Sequence, residues 1–285
     1  MKLLVRFETP HTYWTPLLVF KNFHSWMESY YSDHLIVYEN TKPDERSNPS
    51  GVCSAHIMTM RNVSTKKYII VSYWDKAIEL TWEGNGWDDE NKVELITSSG
   101  VHSIMNYTPF SYTCYNLEFE KLSDLYRKPL NERTNNNLFF RGHLYGDRKL
   151  MQLYKPQYFA KDKVELDLYF EELNDSKISL SLDGAGEICN RDMEILCNGG
   201  VLLRPALTQK FHNELLPDVH YIAVQRVSNP VEQFDLLLKK YEEIKDNTEL
   251  LNNISNNGLE WFKANGSMTA NVELLKKIVD LDKLR

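Results

Sequence analysis

The chain has 285 residues, a length that suits one large domain or two ordinary ones and can bury a core without disulfide bonds. Its 33 Lys and Arg residues against 40 Asp and Glu residues give a net charge of −7, which argues against a general grip on nucleic acid or on an anionic membrane. The four cysteines lack the C-x-x-C spacing of a zinc or redox site. No stretch approaches the ~20 apolar residues of a membrane span, and the first residues do not have the pattern of a signal peptide. We therefore expect a folded cytoplasmic protein without stable membrane insertion.

The first part of the chain contains four apolar segments typical of buried strands, and such runs favour a parallel sheet covered on both faces. These segments are residues 2–7, 34–38, 67–73 and 93–97. Between residues 117 and 137 the composition changes to charged residues, with Pro129 and a Thr-Asn-Asn-Asn run, which we interpret as a hinge. The sequence therefore predicts an N-terminal α/β domain over residues 1–130.

The second part of the chain alternates strand-like and helix-like segments, a pattern that indicates a second α/β domain over residues 131–268. The strand-like segments are residues 138–142, 178–182, 200–205 and 220–224. Helical periodicity begins near Arg191 and again at Pro230. The last residues, 269–285, continue the helical pattern and could pack back on the first domain.

A strand, a glycine-bearing loop and a helix are predicted over residues 179–197. Gly184 and Gly186 would let the backbone approach a ligand, and the N-terminus of the helix would attract an anion such as a diphosphate. Arg191 and Glu194 stand three residues apart on one face of this helix, where Arg191 could hold a phosphate and Glu194 could accept hydrogen bonds from ribose hydroxyls. Two structural interpretations stay open: a tight turn without a ligand, and an Arg191–Glu194 ion pair without a function.

Two arginines stand at the end of the predicted strand at residues 138–142. Arg141 and Arg148 carry guanidinium groups that suit bidentate contact with phosphate, and Gly142 lies beside Arg141. Because α/β sheets bind ligands at the carboxyl ends of their strands, this segment is a second candidate for a phosphate site.

Several segments, in the same order along the chain, resemble the CAP10-like protein O-glucosyltransferases and O-xylosyltransferases of glycosyltransferase family 90. The Phe-Arg-Gly of residues 140–142, with Arg148 six residues later, is similar to the FRG-to-arginine segment of that family. Residues 184–200 resemble its glycine-arginine helix, and LLPDVHYIAV at residues 215–224 resembles its VHYIPV strand. Further likenesses lie at residues 69–75, 97–109 and 254–265, so that the resemblance spans residues 65–268.

The resemblance implies a GT-B architecture, in which two Rossmann-like domains face a central cleft and bind the nucleotide sugar on the C-terminal side and the acceptor on the N-terminal side. It implies inverting, metal-independent transfer of xylose or glucose from a UDP-sugar to a glycan or protein hydroxyl. The sequence itself offers no well-placed metal site, since its only Asp-x-Asp is at residues 280–282. We therefore expect no cofactor, and we expect Arg141, Arg148 and Arg191 to stabilise the departing diphosphate together with a helix N-terminus.

Inversion by a single displacement needs a general base for the acceptor hydroxyl. Asp75 follows a strand-like segment and parallels an acidic residue of the family, so we expect it to be this base, with His102 as the alternative base or a sugar contact. Trp74 and Tyr107 could stack on sugar rings of the acceptor. The structural alternatives are an Asp that caps a turn, a structural His, and aromatic residues that pack in the core.

Two other functions stay open on the sequence: a nucleotide-sugar or glycan-binding module without turnover, and a UDP-sugar epimerase of the same layout. A candidate base at Asp75 favours turnover, and conversion of the donor without an acceptor would indicate the epimerase. Because the chain shows no signal peptide and few cysteines, we expect a compact enzyme of the cytoplasm, or of the host cytoplasm if a virus encodes it.

Overall fold

A computed structural model of the chain describes residues 1–8, 15–31, 33–40, 57–73, 89–97, 107–114, 116–138, 140–144, 146–160, 163–184 and 186–285. The chain divides into two compact units, each of mixed α/β composition. The first unit consists of Met1–Tyr115, Gln209–Asn213 and Met268–Arg285, and the second of Asn116–Thr208 and Glu214–Ser267. The division after Tyr115 precedes the hinge predicted over residues 117–137, and those residues belong to the second unit.

The described residues form nine strands and eight α-helices, numbered here in chain order. The strands are β1 (Lys2–Glu8), β2 (Leu35–Asn40), β3 (Ile57–Asn62), β4 (Tyr68–Ser72), β5 (Lys92–Thr97), β6 (Thr108–Pro109), β7 (Ile178–Leu180), β8 (Val201–Pro205) and β9 (Ile222–Val224). The helices are α1 (Thr15–Tyr30), α2 (Leu117–Tyr126), α3 (Asp147–Tyr154), α4 (Leu166–Asp175), α5 (Asn190–Cys197), α6 (Pro230–Ile244), α7 (Thr248–Trp261) and α8 (Met268–Ile278). None of the helices within the described residues is both long enough and apolar enough to cross a bilayer.

The first unit contains a six-stranded sheet in the order β2-β1-β3-β4-β5-β6. β1 and β2 are parallel neighbours, and α1 lies between them in the chain, as expected for a βαβ crossover. β4, β5 and β6 are also parallel to one another. The four strands predicted in this part of the chain are therefore confirmed, with β1 and β2 at one edge of the sheet and β4 and β5 toward the other.

The parallel sheet expected for this unit is wrong at β3, which runs antiparallel to both β1 and β4. This strand was not predicted, because its sequence IMTMRN carries two methionines and few of the β-branched residues that strands favour. A short turn after Asn62 joins β3 to β4; the Asn62 side chain accepts a hydrogen bond from the Ser64 amide at 2.9 Å, and Lys66 has a φ of 64°. So tight a connection returns the chain beside itself and imposes antiparallel pairing.

The C-terminal segment completes the core of the first unit. Leu275 of α8 and Leu284 are buried in the same cluster as the apolar residues of β1, α1 and β4. The Tyr73 hydroxyl and the Asn271 amide oxygen lie 2.7 Å apart in a buried hydrogen bond. The Asn62 amide donates to the Leu284 carbonyl at 2.8 Å. Helix α8 and the turn after it therefore belong to the first unit, both by their packing and hydrogen bonds and by the division of the chain into units.

The second unit contains a three-stranded parallel sheet in the order β7-β8-β9. Three of its predicted strands are confirmed in shorter form, and α5, α6 and α7 occupy the predicted helical segments. The prediction of a strand over residues 138–142 is wrong. The residues of this segment that the structure describes, 138 and 140–142, make only one isolated β-bridge, between Phe140 and Phe159. Its apolar residues are buried all the same: Leu138 and Phe140 pack in the core of this unit without joining the sheet.

Helix α7 packs against the residues that precede β9 at a point where only glycine fits. A Cβ added to Gly258 would lie 2.6 Å from the His220 carbonyl oxygen and 2.9 Å from a methyl carbon of Leu196. The backbone atom cannot move away as the end of a side chain could. Gly258, part of the segment that resembles the family, therefore has a packing role.

Candidate functional site

The buried Phe140 ring brings together two of the arginines expected to bind phosphate. The central guanidinium carbon Cζ lies 4.6 Å from the ring centroid for Arg191 and 5.4 Å for Arg148. The ring of Tyr169 approaches Arg191 as well, with 5.5 Å between its centroid and Cζ. These distances are within cation–π range, so the aromatic rings fix the positions of two positive charges. We call Phe140, Arg148, Tyr169 and Arg191 the arginine cluster.

Arg191 is the most informative member of the arginine cluster. It is the second residue of α5, which follows β7 at the carboxyl edge of the parallel sheet. Its Nη1 atom is buried and has no hydrogen-bond acceptor among the described residues. Gly142 makes room for its other terminal nitrogen, since a Cβ at that position would lie 2.9 Å from Nη2. A buried donor of this kind is costly unless a partner completes it.

Arg148 also forms hydrogen bonds with two backbone carbonyls. Its Nη1 donates to the His143 carbonyl at 3.1 Å and its Nη2 to the Leu182 carbonyl at 2.5 Å. Leu182 lies just past the end of β7. Arg148 therefore ties the segment around Gly142 to the carboxyl end of that strand while its positive charge stays beside Phe140.

Arg141 is engaged differently from the other two predicted phosphate ligands. It forms a bidentate ion pair with Glu172 of α4, with Nε and Nη2 each within 2.7 Å of a carboxylate oxygen. This pair satisfies the fork geometry that made Arg141 a phosphate candidate. A contact between Arg141 and a phosphate would have to compete with Glu172.

Glu194 is buried on the same helix as Arg191. It accepts a hydrogen bond from the Tyr169 hydroxyl at 2.6 Å and another from the Asn190 amide. Burial raises the pKa of Glu194 above its usual range, although the charge of Arg191 and these hydrogen bonds act in the opposite direction. Because the charge of Arg191 acts on Glu194, the interpretation of the two residues as an interacting pair without a function stays open.

The loop between β7 and α5 is closed by contacts of its own residues. The Gly184 amide donates to the Gly186 carbonyl at 2.9 Å. The Asp192 carboxylate accepts from the Cys189 amide at 2.7 Å and so caps the N-terminus of α5. Burial and Asp192 raise the pKa of the Cys189 thiol to about 11, which keeps it protonated. A ligand at this helix end would therefore face an N-terminus that already carries one carboxylate.

The sequence analysis missed a buried charge network at the carboxyl edge of the sheet. Arg204, fully buried at the end of β8, lies 2.6 Å from Asp192 and 3.2 Å from Asp183. Although burial lowers the pKa of Arg204, the two carboxylates raise it above its usual value. Arg226 also contacts Asp183, and its Nε donates to the Ala206 carbonyl at 3.0 Å. The signal in the sequence was an arginine inside the apolar strand VLLRP, since a buried charge requires partners.

The candidate residues of the first unit fall mostly outside the described structure. Trp74, Asp75 and His102 are not among the described residues. Tyr107 is described, half-buried and directly before β6, and burial raises the pKa of its hydroxyl. The assignment of a general base therefore stays a prediction from the sequence.

No group of three or more His, Cys, Asp or Glu side chains within the described ranges is arranged to hold a metal ion. Whether the reaction needs a metal ion is a prediction that an activity assay has to test.

Comparison of the sequence with protein-family models and with curated proteins finds no match. The arginine cluster is consequently the observation from which a function is proposed.

Proposed function

We propose that the second unit binds the diphosphate of a UDP-sugar at the arginine cluster and that the chain is an inverting, metal-independent glycosyltransferase. The observation that carries this proposal is Arg191, a cation held between the rings of Phe140 and Tyr169 with a buried Nη1 donor that no described residue accepts. An anionic oxygen would complete that hydrogen bond and offset the desolvation of the charge.

A diphosphate suits the location as well as the charge. Arg191 lies at the N-terminus of α5, beyond the carboxyl end of β7, where α/β sheets usually bind nucleotides. Arg148 places a second positive charge at the same Phe140 ring. Two fixed cations can stabilise the negative charge that develops on UDP as its bond to the sugar breaks.

The proposed layout is GT-B, with the donor site in the second unit and the acceptor site in the first. In the proposed reaction Asp75 takes the proton from an acceptor hydroxyl, with His102 as the alternative base. The hydroxyl oxygen then forms a bond to the anomeric carbon as the bond from that carbon to the UDP oxygen breaks, which inverts the configuration. Trp74 and Tyr107 are the proposed sugar contacts, and a glycan or a protein hydroxyl is the proposed acceptor.

Calorimetric titration with UDP tests the proposal at its central residue. Arg191→Ala should weaken UDP binding by about 1.5 to 3 kcal/mol, the range for hydrogen bonds to charged groups, or about 10- to 150-fold in Kd. Arg127→Ala is the matched control, because Arg127 is a partly buried arginine at the other end of α5, where it donates to the Cys197 carbonyl. Equal UDP affinity in the two variants would remove Arg191 from the donor site.

Turnover distinguishes the proposed function from its alternatives. A panel of UDP-sugars, with xylose and glucose donors first, should release UDP only when an acceptor is present. UDP binding without transfer to any acceptor would indicate a binding module, and conversion of the sugar without an acceptor would indicate an epimerase.

A further inference from the structure

Glu194 of α5 is a buried carboxylate beside the arginine cluster, and its side chain is only 8% exposed. Its Oε2 atom accepts a hydrogen bond from the Tyr169 hydroxyl at 2.6 Å, and its Oε1 atom accepts one from the Asn190 amide. The ring centroid of the same Tyr169 lies 5.5 Å from Cζ of Arg191. One tyrosine therefore contacts both the buried carboxylate and the cation on which the proposed donor site depends.

The hydrogen bonds around Glu194 suit both of its protonation states. The Asn190 amide group only donates, so Oε1 stays an acceptor in either state. The Tyr169 hydroxyl can accept as well as donate, and because Tyr169 is half-buried its O–H can turn toward solvent. A proton on Oε2 would then be donated to the Tyr169 oxygen. Burial raises the pKa of Glu194 more than Arg191 and the hydrogen bonds lower it, so the neutral form is within reach.

Most charged groups on the helices and the strand around α5 are already paired. Asp192 of α5 lies 2.6 Å from Arg204 of β8. Further ion pairs join Arg141 to Glu172 and Lys128 to Asp175 of α4, Lys121 to Glu118 of α2, and Lys263 to Glu260 at the end of α7. The other charged groups on these helices are all carboxylates: Asp167 and Glu171 of α4, Glu120 and Asp124 of α2, and Glu249 of α7. Arg191 is consequently the cation whose charge stabilises ionised Glu194.

We propose that the donor site takes up a proton at Glu194 when the diphosphate of a UDP-sugar binds Arg191, so that donor affinity rises as the pH falls. The inference rests on the proposed donor function of the arginine cluster. A bound diphosphate and an ionised Glu194 would place two negative charges around one cation, and their repulsion favours the neutral carboxyl. Because the complex then holds more protons than the free chain, a lower pH favours the complex.

Calorimetric titration of the full chain with UDP-glucose tests this proton uptake. UDP-glucose is the probe because its diphosphate is esterified at both ends and lacks the second ionisation, at about pH 6, of a terminal phosphate. Titrations in buffers of different ionisation enthalpy at about pH 6 should show an uptake of about 0.3 protons or more per bound UDP-glucose. The Kd should be about tenfold higher at about pH 8 than at about pH 5.

Glu194→Gln imitates the protonated carboxyl, because its amide can donate to the Tyr169 oxygen while its carbonyl accepts from Asn190. This variant should bind UDP-glucose without proton uptake. At about pH 8 its Kd should be about tenfold lower than that of the original chain, and it should change by less than about twofold down to about pH 5. A carboxylate with only a structural role would leave the proton uptake in place.

Asp175→Asn is the matched control, because Asp175 is a carboxylate on α4, the helix that carries Tyr169. A hydrogen bond from the Thr134 hydroxyl lowers the pKa of Asp175 to about 2, so this group stays ionised throughout the titrations. Its variant should keep the proton uptake of the original chain. Thermal unfolding recorded on both variants checks that each is folded.

Three outcomes would contradict the inference. Binding of UDP-glucose by the original chain without proton uptake would overturn it and leave the donor site in place, and that measurement needs no variant. Proton uptake that persists in Glu194→Gln would assign the proton to another group, such as the exposed His143, whose carbonyl accepts from Arg148. No binding of UDP-glucose at any pH would reject the donor site and the inference with it.

Discussion

Gly142→Ala is the substitution that tests the arginine cluster without removing a charge. The added Cβ would lie 2.9 Å from Nη2 of Arg191 and 3.1 Å from the nearest carbon of the Phe140 ring. The Phe140 ring is fully buried and cannot yield, whereas the end of an arginine side chain can, so the guanidinium should leave its position. If the shift removes one hydrogen bond to the diphosphate, UDP binding should weaken by about 1.5 kcal/mol, or about tenfold in Kd.

A second glycine in the same segment provides the control. Gly146 has a φ of 53°, and a Cβ added there would meet nothing within 4 Å. Gly146→Ala should therefore lower the free energy of unfolding by about 1 to 3 kcal/mol, because a φ of 53° with a ψ of −132° is a backbone conformation that only glycine adopts readily, and it should leave UDP affinity unchanged. Calorimetry with UDP and thermal unfolding on both variants separate the two effects. Unchanged UDP affinity in Gly142→Ala would refute the role assigned to Arg191.

Three further predictions concern the base, the metal and the packing of the second unit. Asp75→Asn should lower kcat by about 10²- to 10⁴-fold with little change in UDP affinity or melting temperature, and a variant that keeps more than about a tenth of the rate would move the base to His102 or elsewhere. Turnover in excess EDTA should equal turnover in Mg²⁺ or Mn²⁺, and a strict metal requirement would contradict the proposed mechanism. Gly258→Ala should destabilise the fold by about 1 to 3 kcal/mol in thermal or denaturant unfolding, because overlap with the His220 carbonyl outweighs the gain in helix propensity; an increase in stability would show that α7 can move away.

Hydrophobic pattern predicted most of the strands and the late helices, since β4, β7 and β8 are buried on both faces and their sequences are mainly apolar. It missed β3, whose sequence has few β-branched residues and whose antiparallel direction follows from the short turn after Asn62. The hydrophobic pattern also predicted a strand over residues 138–142, because an apolar residue such as Phe140 is typical of a buried strand. In the structure the Phe140 ring packs in the core and makes cation–π contacts with Arg148 and Arg191.

Residue types at the candidate site were predictable, but their partners were not. The sequence identified Arg141, Arg148 and Arg191 as cations near glycines and gave no reason to rank them. The structure distinguishes them: Glu172 engages Arg141, backbone carbonyls engage Arg148, and Arg191 keeps a buried donor without an acceptor in the described residues. Such differences depend on contacts between residues far apart in the chain, which a single sequence does not contain.

A crystal structure of the chain bound to UDP would test the central claim most directly. We predict a phosphate oxygen of UDP within hydrogen-bond distance, about 2.7 to 2.9 Å, of Nη1 of Arg191, with Gly142 still packed against that side chain. UDP bound at any other place, or Nη1 of Arg191 hydrogen-bonded to a protein group in the complex, would contradict the assignment of the donor site.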